Sequence, residues 1–289
     1  MIRKRIICLL LCLAAAVTFA AAEEDPASVT YLNPGQKRLS WAEVKALPER
    51  YPNLKKVRMF ATPLTGAQAD ELAEKYPDIE FGWTLKIGAD HLVRTDMTAF
   101  STLHGSGSPQ HTSKDLRVLR YCKKLEALDI GHNHADDISW LAELPDLRVL
   151  IIAINRISDL TPLAGLKKLE YLEVFSNRVT DLSPLKGLTQ LMDLNICYNR
   201  ITDFSPLYEM TWLKRLWIGR AADRGVPGVP QDVIDTLKKK LPHTQINYRS
   251  EPTAGGWREH PHYDTIHEMF AGSFYIPFSD SVPDSADRP

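Results

Sequence analysis

Cysteine is scarce in this chain: four among 289 residues, with Cys8 and Cys12 inside the apolar opening run. That excludes a fold stapled by several disulfides. A surplus of one charge is also missing, with 35 basic residues against 36 acidic. Without Arg3, Lys4 and Arg5 the basic count falls to 32. No basic footprint for nucleic acid and no polybasic patch for a membrane surface results. Past residue 22 no apolar stretch is long enough to span a bilayer. Familiar catalytic signatures are absent as well: no Gly-x-Ser-x-Gly elbow, no His-Glu-x-x-His pair, no dinucleotide fingerprint. The run His104 to His111 is rich in Gly and Ser but lacks the Lys of a P-loop.

What is present begins with an export signal over residues 1–22. Arg3, Lys4 and Arg5 form its positive head, Ile6 to Phe19 its apolar run and Ala20-Ala21-Ala22 its cleavage site. An uncleaved anchor is the rival reading. Cys12 follows Leu-Leu-Leu rather than the small residue of a lipoprotein site, and no Leu-Pro-x-Thr-Gly sorting motif occurs. The mature chain is expected to be secreted or loosely held at the cell surface, with no stable membrane insertion.

The centre of the chain writes one phrase five times, at a spacing of 22 residues. Leu125-Glu-Ala-Leu-Asp-Ile-Gly-His-Asn133 recurs as Leu147 to Asn155, Leu169 to Asn177 and Leu191 to Asn199. The last copy begins at Leu213 and carries Ala221 where Asn is due. Leu128 and Ile130 are two apart, so a short strand turns both inward. One repeat cannot bury them alone, and stacked neighbours share a core. Asn133, Asn155, Asn177 and Asn199 have the donors and acceptors to satisfy backbone in the turn after each strand. Asp137, Asp159, Asp181 and Asp203 are also in register, with Ser or Thr two residues on and then Pro162, Pro184 and Pro206. Short polar residues followed by Pro specify a tight turn or one turn of 3₁₀ helix.

This phrase resembles the internalin and SDS22-like class of secreted bacterial leucine-rich repeat proteins. The resemblance implies an α/β solenoid: a curved horseshoe with a parallel sheet on its concave face and 3₁₀ turns on the convex side. Helix-bearing repeats are expected at both ends. Leu54, Val57 and Met59 repeat the skeleton, with a helix over Gly66 to Tyr76 and an alternating run from Ile79 to Trp83. Val233, Ile234 and Leu237 give a second amphipathic helix before a strand near Gln245 to Tyr248. Met97 to Leu103 reads as one more strand, in an irregular repeat with an insertion. The domains read as signal 1–22, leader or cap 23–50, repeat domain 51–250 with regular repeats over 125–221, and tail 251–289. In the tail, Tyr263, Ile266, His267 and Phe270 share a helical face, and the chain beyond Ser279 reads as disordered. The tail is expected to cap the open end of the stack; docking a partner through its aromatics is the alternative.

The register separates Cys122 from Cys197 by three strand steps of about 4.8 Å each, beyond the reach of a disulfide. Two unbridged thiols are expected, Cys122 buried and Cys197 half-buried. His132-x-His134 and His260-x-His262, with His267 nearby, have zinc-compatible spacing but no evident third ligand. No metal site and no cofactor is called. The outward strand positions are the functional candidates, because the core does not constrain them. Tyr171, Phe175, Tyr198 and Trp217 make an aromatic diagonal, joined by Glu173, Asp193, Asn195 and Arg215. Aromatics and Arg most often carry interface energy. The resemblance implies a non-enzymatic, monomeric binding protein that takes a protein ligand on this concave face. A glycan stacked on the same aromatics is the alternative, and an enzyme built on the tail histidines ranks last. The competing bland reading is that the tail, or a neighbouring molecule, covers the face.

Overall fold

The computed structural model describes residues 25–88, 91–103, 110–220, 228–249 and 252–281. The expected signal (1–22), residues 104–109 of the Gly/Ser run, Ala221 and the end beyond Ser281 lie outside the described residues. The chain divides into two compact units. One runs to Ile87 and includes Leu92–Asp96; the other takes Gly88–His91 and the chain from Met97 onward.

In the first unit, β1 (Tyr31–Leu32), β2 (Lys56–Pro63), β3 (Glu80–Ile87) and β4 (His91–Arg94) form one sheet in that order. Helix α1 (Trp41–Arg50) links β1 to β2, and α2 (Gly66–Lys75) links β2 to β3. Both helices start on a capping box, Ser40 with Glu43 and Thr65 with Gln68. Each box satisfies backbone donors that the first turn leaves over. Leu54, Val57 and Met59 are buried, as their spacing requires. The expected repeat domain over 51–250 is therefore divided between two sheets.

The second unit carries seven parallel strands: β5 (Ala99–Ser101), β6 (Ala127–Asp129), β7 (Val149–Ile151), β8 (Tyr171–Glu173), β9 (Asp193–Asn195), β10 (Arg215–Trp217) and β11 (Gln245–Asn247). Short helix α3 (Ser113–Leu116) follows β5, α4 (Gln231–Lys240) precedes β11, and α5 (Pro261–Gly272) lies in the tail. Leu128, Leu150, Leu172, Leu194 and Leu216 stand side by side in this register. All five are fully buried. Each such side chain contributes roughly 1.5–3 kcal/mol by leaving water.

The turns behave as their residue types require. Asn155 Nδ2 donates to the carbonyls of Ile130, Ile152 and Ala153, while its Oδ1 accepts from Ala135 N. Asn177 and Asn199 repeat this pattern one step along each time. The residue before each Asn is left-handed: His132, Ile154, Ser176 and Tyr198 have φ between 54 and 58°. On the other side, Asp159, Asp181 and Asp203 accept from the backbone N of Thr161, Ser183 and Ser205 at 2.8 Å. Each of these opens a 3₁₀ turn with Pro in its first positions. Cys122 and Cys197 are thiols, both buried. Cys197 is fully enclosed rather than half-buried, because the next strand exit and the tail both pack against it. Its Sγ accepts from Gly219 N, and burial pushes the thiol up to about 12. Among the described residues no helix is long and apolar enough to cross a membrane.

Candidate functional site

Strands β6 to β10 are buried on both faces. The leucine core accounts for one side. The other is covered by residues 252–281, which lie on the strand face rather than on the end of the stack. This corrects the expected cap, and the reason is chemical. The strand face offers apolar, aromatic and charged positions in a single sheet, and the tail brings a partner for each.

Helix α5 begins at Pro261, a residue already shaped for a first helical turn. It ends at Gly272 and is capped by Ser273, which is left-handed at φ 60°. Its buried positions are His262, Ile266, Met269 and Phe270, rotated from the expected face. His267 is exposed and Tyr263 half-buried. The apolar side joins Ala99, Ala127 and Val149, where small strand residues leave room for a helix. Tyr275 N donates to Thr98 Oγ1 at 2.8 Å and pins the segment beyond the helix to the start of the sheet.

Trp257 is the aromatic centre. It is fully buried, with ring centroids 5.3 Å from Tyr171 and 5.1 Å from Trp217. Its indole N–H donates to Glu173 Oε1 at 2.8 Å, and the Tyr171 hydroxyl donates to the same oxygen. Burial raises the Glu173 carboxyl above its usual range. The Arg215 guanidinium lies 4.6 Å from the Trp257 ring centre.

The charged centre is next to it. Arg215 grips Asp193 with two bonds of 2.7 and 2.8 Å. His262 Nδ1 is 2.5 Å from Asp193 Oδ2 and its Nε2 is 2.7 Å from Asp280 Oδ1. Phe278 stacks on the imidazole at 4.1 Å. Burial works against both charges, but hydrogen bonds outweigh it. Bonds from Arg215 and His262 hold Asp193 below its usual range, and Asp193 and Asp280 raise His262 above its own. With both ring nitrogens facing carboxylates, His262 has no nitrogen to give a metal. On the rim, Ser281 Oγ donates to Glu170, Arg148 pairs with Glu170 at 2.7 Å, and Lys214 with Asp280 at 2.6 Å.

Three strand-face donors reach main-chain carbonyls of the tail. Asn195 Nδ2 donates to Pro252 at 2.6 Å, Trp217 Nε1 to Ala254 at 3.0 Å and Arg215 Nη1 to Trp257 at 3.2 Å.

The candidate residues Tyr171, Glu173, Phe175, Asp193, Asn195, Arg215 and Trp217 thus share one face and are buried there, with Tyr198 half-buried beside them. None of the seven stands open to solvent. Sequence reasoning did not find Trp257 or Asp280. Trp257 carried the clearest signal: a large aromatic directly after Gly255-Gly256.

Residues 145–187 match the family model described as Leucine Rich repeats (2 copies). No curated protein matches the chain. Among solved structures, internalin C2 of Listeria monocytogenes is 24% identical, covering 65% of this chain and 80% of its own at a TM-score of 0.37. A leucine-rich repeat protein of Leptospira interrogans is 18% identical, with 76% and 55% covered and a TM-score of 0.46. A second Listeria internalin, inlF, is 20% identical, with 78% and 83% covered and a TM-score of 0.35. The matched repeats are continued by the same register, the same asparagine ladder and seven parallel strands, so the second unit has a leucine-rich repeat fold.

Proposed function

We propose that this is an exported, non-enzymatic binding protein that takes a polypeptide ligand on the strand face of its repeats. Residues 252–281 occupy that face until the ligand displaces them. The observation that carries this reading is the set of donors from Asn195, Trp217 and Arg215 to tail main-chain carbonyls. Carbonyls of this kind recur along any polypeptide, so a foreign segment offers the same acceptors. The charge content supports the same reading. A segment serving only as a plug would gain as much from apolar contacts, since a buried ion pair rarely outperforms hydrophobic residues of equal volume. Polar faces are typical of contacts that open. A glycan fits less well. Of its three stacking platforms, Tyr171, Tyr198 and Trp217, the first and last are set against an indole whose N–H bonds to buried Glu173.

Hydrogen exchange on the full chain tests this. Residues 252–281 are expected to open without the repeats, exchanging faster than β8 and β9. Trp257→Ala removes a buried aromatic worth about 3–5 kcal/mol. It should widen that difference and let a synthetic peptide of residues 252–281 bind in trans. If the tail and the strands exchange together in both proteins, the segment is part of the core and the reading fails.

A further inference from the structure

The contact between His262 and its two carboxylates has a stoichiometric requirement. Asp193 and Asp280, when ionised, are acceptors with nothing to donate. An imidazole that contacts a carboxylate through each ring nitrogen needs a proton on both. A neutral ring has one N–H and one lone pair, so one of the two contacts would set a lone pair against an anion. We infer that His262 is a protonation latch: the tail is held on the strand face while the imidazole is charged and loosens when it loses a proton. This inference rests on the proposed role of that face and adds the condition that regulates it.

The surroundings agree with a charged ring. Asp193 on β9 and Asp280 on the tail contact it directly. Arg215 on β10 binds both oxygens of Asp193, sharing Oδ2 with His262, and Lys214 binds Asp280, so each carboxylate is also held by a permanent cation. Glu170, ahead of β8, adds a further negative charge near the ring, itself paired with Arg148. His260 packs edge-on against His262 at 4.3 Å, and burial lowers its own affinity for a proton. Phe278 covers one face of His262, and Asp193 is fully buried, so water does not readily replace a bond lost on that side of the ring.

The sign follows from linkage. The docked ring holds its proton more tightly than a solvated histidine, whose value is near 6.5. Docking is strongest below that value and is lost as pH rises through the docked value. Between the two, the closing equilibrium weakens about tenfold per pH unit, as one extra bound proton requires. Asp193 and Asp280 have lowered values, so they oppose docking only in strong acid, outside this window.

Protection factors of the tail amides, corrected for intrinsic exchange chemistry, would be measured on the full chain from mildly acid to mildly alkaline pH. They are expected to fall with that slope, and the imidazole ¹⁵N signals should show both nitrogens protonated in the docked state. Asp280→Asn supplies an amide N–H to a neutral ring, so its tail should stay docked and its profile should flatten. His262→Gln should be loosely docked at every pH. A tail that opens independently but with no pH slope, or an Asp280→Asn profile that matches wild type, overturns the latch and spares the binding role. A tail that opens only together with β8 and β9 overturns both.

Discussion

Ile154 is the least comfortable of the four left-handed residues that precede the ladder asparagines. Its φ is 54°, and its β-branched side chain is partly exposed. A left-handed backbone costs an L-residue roughly 1–2 kcal/mol, and branching adds to this. Asn accepts that conformation far more readily. Ile154→Asn is therefore expected to stabilise the protein by about 1 kcal/mol, read as a higher midpoint in urea with an unchanged slope. An unchanged midpoint would mean that the Ile154 side chain contributes more through packing than its exposure suggests. The asparagine ladder itself was legible in the sequence, since the amide at Asn177 has fixed donors and acceptors and recurs at fixed spacing. The sign of φ one residue earlier was not, because His132, Ile154, Ser176 and Tyr198 have no chemistry in common.

Between neighbouring strands the controlling quantity is the burial of the outward column. Asp129 on β6 faces Gly131 N at 2.8 Å and Ser101 Oγ at 2.9 Å, with no salt bridge to a cation among the described residues. Burial, with Glu173 adding a like charge, pushes its carboxyl up to about 6. The folded chain keeps that proton to about pH 6, whereas the unfolded chain loses it near 3.8. Stability from this group is thus full in acid and falls as pH rises between those values. Asp129→Asn keeps an oxygen acceptor for Gly131 N and puts an amide N–H against Ser101 Oγ, whose hydroxyl can turn to accept it, without the charge. At about pH 8 it is expected to stabilise the fold by on the order of 3 kcal/mol, and near pH 3 it should have little effect. Chemical denaturation at the two pH values checks this, and equal shifts at both would remove the buried charge as the cause. The tail helix shows the limit of reading a single element. Ile266 and Phe270 were identifiable by spacing, but spacing alone did not separate the face with Met269 from the face with His267. That choice depends on which strand residues the helix meets.

For the protein as a whole, the strand face is a surface that is covered by the chain itself. Without the tail, Tyr171, Phe175 and Trp217 would stand open together, a contiguous aromatic patch of the kind that drives association. A chain ending at Arg249 is expected to fold its repeats and to self-associate in a concentration-dependent way. Full-length protein in the same buffer should remain monomeric, as size-exclusion chromatography with light scattering can show. A truncated chain that stays monomeric at high concentration would show that the face tolerates water and needs no cover.

The repeat array could be read without coordinates because every interaction that defines it is short in sequence or repeats at a constant interval. Leu128 meets Leu150, Asn155 reaches Ile130, and the same arithmetic serves each following turn. The occupant of the opposite face obeys no such interval. Asn195 meets Pro252 across 57 residues and Tyr275 meets Thr98 across 177. Those contacts are selected by shape and charge fitting in three dimensions: an indole between two aromatic rings and an imidazole between two carboxylates. Periodicity therefore specified the scaffold, and long-range complementarity decided that the scaffold's free side holds its own C-terminal segment.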